Sequence, residues 1–356
     1  SKPDYSESRG VSESIVSKTW AFIMQWCGII ISLLLKGFVR SEWVKEGACN
    51  VSRIGNKGKE FILVSGESSY GQLDVKLFVS STEDVSISVK SPNPGFRTQF
   101  IIKNPGTQEV ILDRSIVMTE TGISNKSIII RSSSEISVHG LRDPFNYLAD
   151  AFTALPIESL STTYVIPSYH STDPNYIVIG SVYDGTSVSI ILNIIGSIVF
   201  ESVNYNNGDT IHIHLEQFQT FKLSSTSDLS GTIVKSNKPI AVISGGAVSI
   251  PIGTIDEDYI VSQLLPVEYW DTKFIIPPLY PRLDSLIRIY AFNPNTSVTI
   301  RNETHYKTRN LTRGNFLEEH VGKGPIVVNS SQPISVVQYA FSEKHDTTSH
   351  GDPLMM

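Results

Sequence analysis

Cysteine is nearly absent from this chain. Its two cysteines, Cys27 and Cys49, both precede residue 50, so no internal disulfide can staple residues 50–356, which must be held by core burial and backbone hydrogen bonds. Loss of the segment around Cys27 would leave Cys49 alone, either inert or open to an intermolecular disulfide. Charge is sparse as well. Only 18% of residues are charged, the formal net charge is −6 and no Lys/Arg run occurs, which removes the basic footprint of a nucleic-acid binder. The chain also lacks a Gly-x-Ser-x-Gly elbow, a glycine-rich phosphate loop and a His-Glu-x-x-His pair. No catalytic residue, metal ligand or cofactor is therefore expected. A carboxylate pair that meets only in space would escape such a search, so an unrecognised hydrolase is one alternative.

What is abundant is Ser, Thr, Ile and Val, a mixture that favours strands. Three stretches say nearly the same thing: Ile130 to Gly140, Val234 to Gly245 and Val328 to Tyr339. Each joins a polar Ser/Asn/Lys passage, expected as a turn and closed by Pro239 or Pro333 in the later two, to a β-branched run. Upstream of each lies an aromatic opener, around Phe61, Tyr164 and Phe274, which step by 103 and then 110 residues. Between opener and closer sits a third shared element: Val85 to Val89, Val188 to Ile191 and Val298 to Ile300. A period of about a hundred residues is the size of a small β-domain. Propeller blades of about 40 to 50 residues would repeat too often, which leaves a propeller as second choice. The expected fold is all-β: three tandem antiparallel β-sandwich-like repeats of about 100 residues, preceded by an N-terminal apolar helix.

In chain order, residues 1–19 are polar and Ser-rich and read as a disordered leader. Residues 20–39 are apolar as far as Lys36 and read as a signal peptide or signal-anchor helix, with a buried helix as the third choice. Either leading choice makes the remainder extracellular, secreted or anchored to the cell surface, with membrane contact only through residues 20–39 if they are not cleaved. The first repeat is assigned to residues 59–141, a linker to 142–162, the second repeat to 163–248, a linker to 249–272 and the third repeat to 273–342. Residues 343–356 then read as the start of a further linker in a chain expected to continue. Both linkers are acidic, carry aromatics and end in Leu-Pro, at Leu155-Pro156 and Leu265-Pro266, with short helices possible near Ile157 to Leu160 and Leu264 to Tyr269. Docking one unit on the next is their expected work. Asn206-Asn207-Gly208-Asp209 reads as a hairpin signal.

Two clusters invite a metal and are better explained without one. His212 and His214 share a strand face, but only Glu216 keeps the alternation beside them, so a wet strand face is expected. Asp256-Glu257-Asp258 lacks the regular spacing of a calcium loop. Sequons at Asn50, Asn125, Asn295, Asn302, Asn310 and Asn329 are glycosylation candidates and agree with an extracellular placement.

Ala151-Phe152-Thr153-Ala154-Leu155-Pro156, Thr162 to Tyr169, Gln219 to Leu223, Asp228 to Ile233 and Asn237 to Val242, together with Gly351-Asp352-Pro353, resemble the N-terminal domain of IgG Fc-binding proteins over roughly Lys59 to Met356. The resemblance implies an extracellular domain linked to mucus and mucosal defence. It carries over no ligand residue, and the cysteine-rich modules that often follow that domain are not in this chain. The expected function is a non-catalytic binding or adhesion module for an extracellular protein or glycoprotein ligand. A structural spacer in a mucus or matrix polymer is the other reading.

Overall fold

The computed structural model describes residues 55–66, 74–93, 95–143, 150–170, 174–248, 258–279, 284–302 and 305–341. The leader, the apolar segment, both cysteines, Asn50, most of the acidic run at 256–258 and residues 343–356 lie outside them. Among the described residues, regular structure is β-strand apart from three single 3-10 turns, and every strand ladder is antiparallel.

The first block contains β1 (Lys57–Leu63), β2 (Asp74–Ser81), β3 (Val85–Lys90), β4 (Arg97–Ile102), β5 (Gly106–Leu112), β6 (Gly122–Ser124) and the 16-residue β7 (Ile128–Asp143). The front half of β7 pairs with β1 and β3, and β4 extends β3; its back half pairs with β2, and β5 extends β2. One long strand thus belongs to two facing half-sheets. Alternate residues Val75, Leu77, Val79, Val85, Ile87 and Val89 point between them and are buried, while Ser86 and Ser88 face outward.

A connecting strand, β8 (Asp150–Thr153), pairs with the back half of β7. The second block comes next as β9 (Ser161–Val165), β10 (Asn175–Ser181), β11 (Thr186–Ile191), β12 (Ser197–Phe200), β13 (Val203–Asn206), β14 (Thr210–Leu215), β15 (Thr220–Ser225) and β16 (Ile233–Val248). A second connector, β17 (Asp258–Gln263), leads to β18 (Asp271–Ile276), β19 (Ser285–Ala291), β20 (Thr296–Arg301), β21 (Tyr306–Leu311), β22 (Phe316–Val321) and β23 (Ile326–Ala340). The short helices anticipated in the connectors are single 3-10 turns, Ile157–Ser159 and Val267–Tyr269, each directly after the Leu-Pro step.

Strand order and register recur in all three blocks. Phe61 lies opposite Ile130, Tyr164 opposite Val234 and Phe274 opposite Val328. Between the two halves of each long strand, five steps of that strand match two steps of the opener, at Arg131–Ile136, Lys235–Ile240 and Asn329–Ile334. The polar passage is therefore no turn between strands but a bulge inside one continuous strand, where the chain bends from one half-sheet into the other. A serine closes it each time. Ser132 Oγ donates to Ser134 O at 2.7 Å, Ser236 Oγ to Lys238 O at 2.6 Å and Ser330 Oγ to Gln332 O at 2.6 Å. The side chain of the next residue accepts a hydrogen bond from the amide of Ser86, Ser187 or Ser297, tying the bend to the neighbouring strand.

The Asn206 to Asp209 signal also differs from expectation. It is a turn with Gly208 at φ +85°, but it joins β13 to β14, which pair with β12 and β11 and not with each other. The hairpin of this region is β12–β13, turned through Glu201 and Ser202.

Candidate binding surface

Two joints and one hairpin carry the chemistry of this molecule. At the joint between first and second blocks, Ile62 on β1 and Val64 just after it meet the outward face of β10 and its neighbours. Gly180 on β10 makes that approach possible, because a Cβ there would stand 2.6 Å from Val64 Cγ1. Backbone crosses the joint too: β6 of the first block pairs with the edge of β15 in the second. Lys222, 2% exposed, reaches across to donate to Thr119 O at 2.8 Å. Asp150 on β8 accepts from Val261 N at 2.8 Å on β17 and from Ala151 N at 2.7 Å. Burial pushes its carboxyl up to about 7 against the pull of those two donors.

The joint between second and third blocks is built around Arg288 on β19. Its guanidinium donates to Ser168 O at 2.7 Å, Asp228 Oδ2 at 2.8 Å, Ser230 Oγ at 2.8 Å and Glu318 Oε2 at 2.7 Å. It also lies 4.5 Å from the ring centres of both Tyr169 and Phe316. Burial works to lower its pKa, but the acidic groups around it, the Asp228 and Glu318 carboxylates among them, more than reverse that, and the group stays charged. Burial pushes the phenols of Tyr290 and Tyr339 up, so they remain neutral.

The β12–β13 hairpin has no counterpart between the equivalent strands of the other blocks. Its inner side is anchored: Ile198 and Phe200 are buried, Phe200 meets Phe221 edge-on at 5.4 Å, and Tyr205 packs on the same core. Its root is fixed by Asn193, whose Nδ2 donates to Ser230 O at 2.8 Å and to Gly314 O of the third block at 3.1 Å. The remaining apolar side chains face water: Ile195 is 91% exposed, Val199 69% and Val203 50%. An anchored ribbon with an apolar outer side can meet a partner without prior ordering, which lowers the entropic cost of binding. The hollows of the surface are open and shallow; one of about 410 Å³ lies between Ser81, Pro105 and Glu135.

The residues singled out in the sequence fall elsewhere. His212 and His214 occupy an outward strand face, where their rings meet Ser189 Oγ at 3.0 Å and Ser187 Oγ at 3.4 Å, and His214 lies 3.3 Å from Glu216. Among the described residues no group of three or more His, Cys, Asp or Glu side chains is placed to hold a metal. Asn295, Asn302 and Asn310 are exposed along the β20–β21 edge of the third block; Asn295 has φ +56° and Asn302 Oδ1 accepts from His305 N at 2.7 Å. Asn125 is exposed as well, though Ser127 of its sequon is fully buried and donates to Phe218 O. Asn329 is half-buried in β23, between Lys273 and Thr299. Sequence reasoning missed the hairpin and Arg288. The hairpin's one available signal was the alternation from Ile198 to Phe200 ahead of Val203 and Tyr205.

Among the described residues no helix is long and apolar enough to cross a membrane. Residues 150–356 match the family model described as IgGFc binding protein. A human protein named IgGFc-binding protein is 24% identical over 329 residues, an alignment covering 90% of this chain and 6% of that protein. The chain thus spans a small part of the length of that relative.

Proposed function

The chain belongs to the IgGFc-binding protein family, and on that premise we propose that it is an extracellular, non-catalytic binding module. In this reading the three blocks are copies of one sandwich unit, held together by the two joints, and the β12–β13 hairpin is the contact surface. The observation that carries it is the exposure of Ile195, Val199 and Val203 on a ribbon whose other side is fixed in the core of the second block. The ligand class is a protein or glycoprotein, which supplies the extended surface that an apolar ribbon needs; IgG Fc is the first candidate because of the relative's name. Glycans at Asn295, Asn302 and Asn310 would crowd the β20–β21 edge and leave the hairpin bare.

The test immobilises the chain and passes IgG Fc and mucus glycoproteins over it. Saturable binding is expected, and Ile195→Ser/Val199→Ser/Val203→Ser weakens it at least tenfold while the melting temperature stays within a few degrees. Binding that is indifferent to the triple change sinks the hairpin as the contact surface. A second reading, the structural spacer, is favoured by the charged, fully bonded joint at Arg288, and it requires that no glycoprotein bind saturably.

A further inference from the structure

The outward faces of the first two opener strands are the seats of the blocks that follow them. Ile62 on β1 is 0% exposed beneath the second block, and Val165 on β9 is 5% exposed beneath the third. The third opener repeats the pattern in sequence but not in burial: Ile275 on β18 is 75% exposed, and Pro277, equivalent to buried Val64 and Pro167, is exposed too. Its cross-strand partner shows the same break. Ile129 and Ile233 are 2% and 6% exposed, whereas Val327, opposite Ile275, is only half-buried.

A second difference of the third block is seen among the described residues. The back half of β7 is bordered by β8, and that of β16 by β17. In β23 the corresponding residues 337–340 pair with β19 alone, and no strand among the described residues lies on the other side. In the first block, the outward face of β2 is mixed: Lys76, Phe78 and Ser80, the counterparts of Leu286, Arg288 and Tyr290. Stacked-unit proteins finish in a polar outer face and keep apolar faces for neighbours.

We propose that Ile275, Pro277 and Val327, with the edge of β23 at residues 337–340, form the seat of a fourth sandwich block of the same build, carried by polypeptide beyond residue 356. A connector strand from that polypeptide lies along residues 337–340, a Leu-Pro turn comes after it, and the outer face of the new block covers β18. Two features select this occupant. Both established joints use this face and this edge together, and a second copy of the present chain would offer Lys76 and Phe78 to an apolar site.

The test compares the 356-residue chain with the chain extended through whatever its transcript encodes next. Hydrogen exchange at residues 337–340 and 274–276 is expected to slow by about a hundredfold in the extended chain. Ile275→Asp should erase that protection there, and leave the melting of the 356-residue chain unchanged. Unaltered exchange on extension, or a transcript that stops after Met356, overturns the proposal. So does a dimer of the 356-residue chain that Ile275→Asp dissolves, because the seat would then belong to a second copy.

Discussion

The two joints solve one packing problem by opposite means. Both lay the outer face of one block on the opener strand of the block before, and aligned pairing makes Gly180 the counterpart of Tyr290 and Val178 that of Arg288. At the first joint the facing strand carries a glycine opposite Val64, and the blocks also share backbone through β6. At the second, bulky side chains fill the gap, and a buried cation binds one carboxylate from each block and the Ser168 carbonyl oxygen of the second. Backbone pairing needs little of the side chains. A buried guanidinium needs every partner in place, since an unpaired buried charge costs several kcal/mol.

The sharpest way to break this comparison is to write one joint's residue into the other. Arg288→Val places the second block's residue in the third and leaves the largely buried Asp228 carboxylate without its cation, while Ser168 O keeps Ser230 Oγ and Tyr339 OH as donors. A loss of about 3 kcal/mol is expected, read in urea as early unfolding of β18 to β23 while β1 to β7 hold. An unchanged midpoint would mean that the cluster contributes nothing to stability. Next in size is Gly180→Val. Its Cβ would sit 2.6 Å from Val64 Cγ1, with both neighbours buried, so the blocks must part or tilt. About 2 kcal/mol is expected, and hydrogen exchange should rise at β6 and β15 rather than at β19; the reverse pattern would show that the two joints are not independent.

Legibility in the sequence divides along the same line. Backbone-driven features were legible: alternation in Val85 to Val89 and Thr210 to Leu215 marked strands, and the aromatic openers lie in one register against the β-branched runs. The bulges were not, because Ser, Asn, Lys and Pro are also the residues of turns, and only pairing on both flanks makes Ser132 to Glu135 part of one strand. The β12–β13 turn uses Glu201 and Ser202 at φ 48° and 63°, where glycine or asparagine is the usual sign. Arg288 gave no signal at all. It occupies an outward strand position like any surface arginine, and its partners Asp228 and Glu318 stand 60 and 30 residues away.

A third effect separates the joints by pH. Asp150 links β8 to β17 at the first joint, and its pKa is raised from 3.8 to about 7 by burial. A carboxyl whose folded pKa lies above its unfolded value contributes stability that is fully present below the unfolded pKa and is lost as pH rises through the folded one. That contribution should therefore decline between about pH 4 and pH 7. His139 on the neighbouring strand acts in the opposite sense: burial lowers its pKa from 6.5, so protonation at acid pH costs stability. The informative quantity is thus the difference between the native chain and Asp150→Asn, which should shift against the native chain as pH rises from 5 to 8. Exchange at β17 should track it, and exchange around Arg288, charged throughout, should not. A difference that stays flat across this range would place the Asp150 carboxyl in contact with water rather than inside the joint.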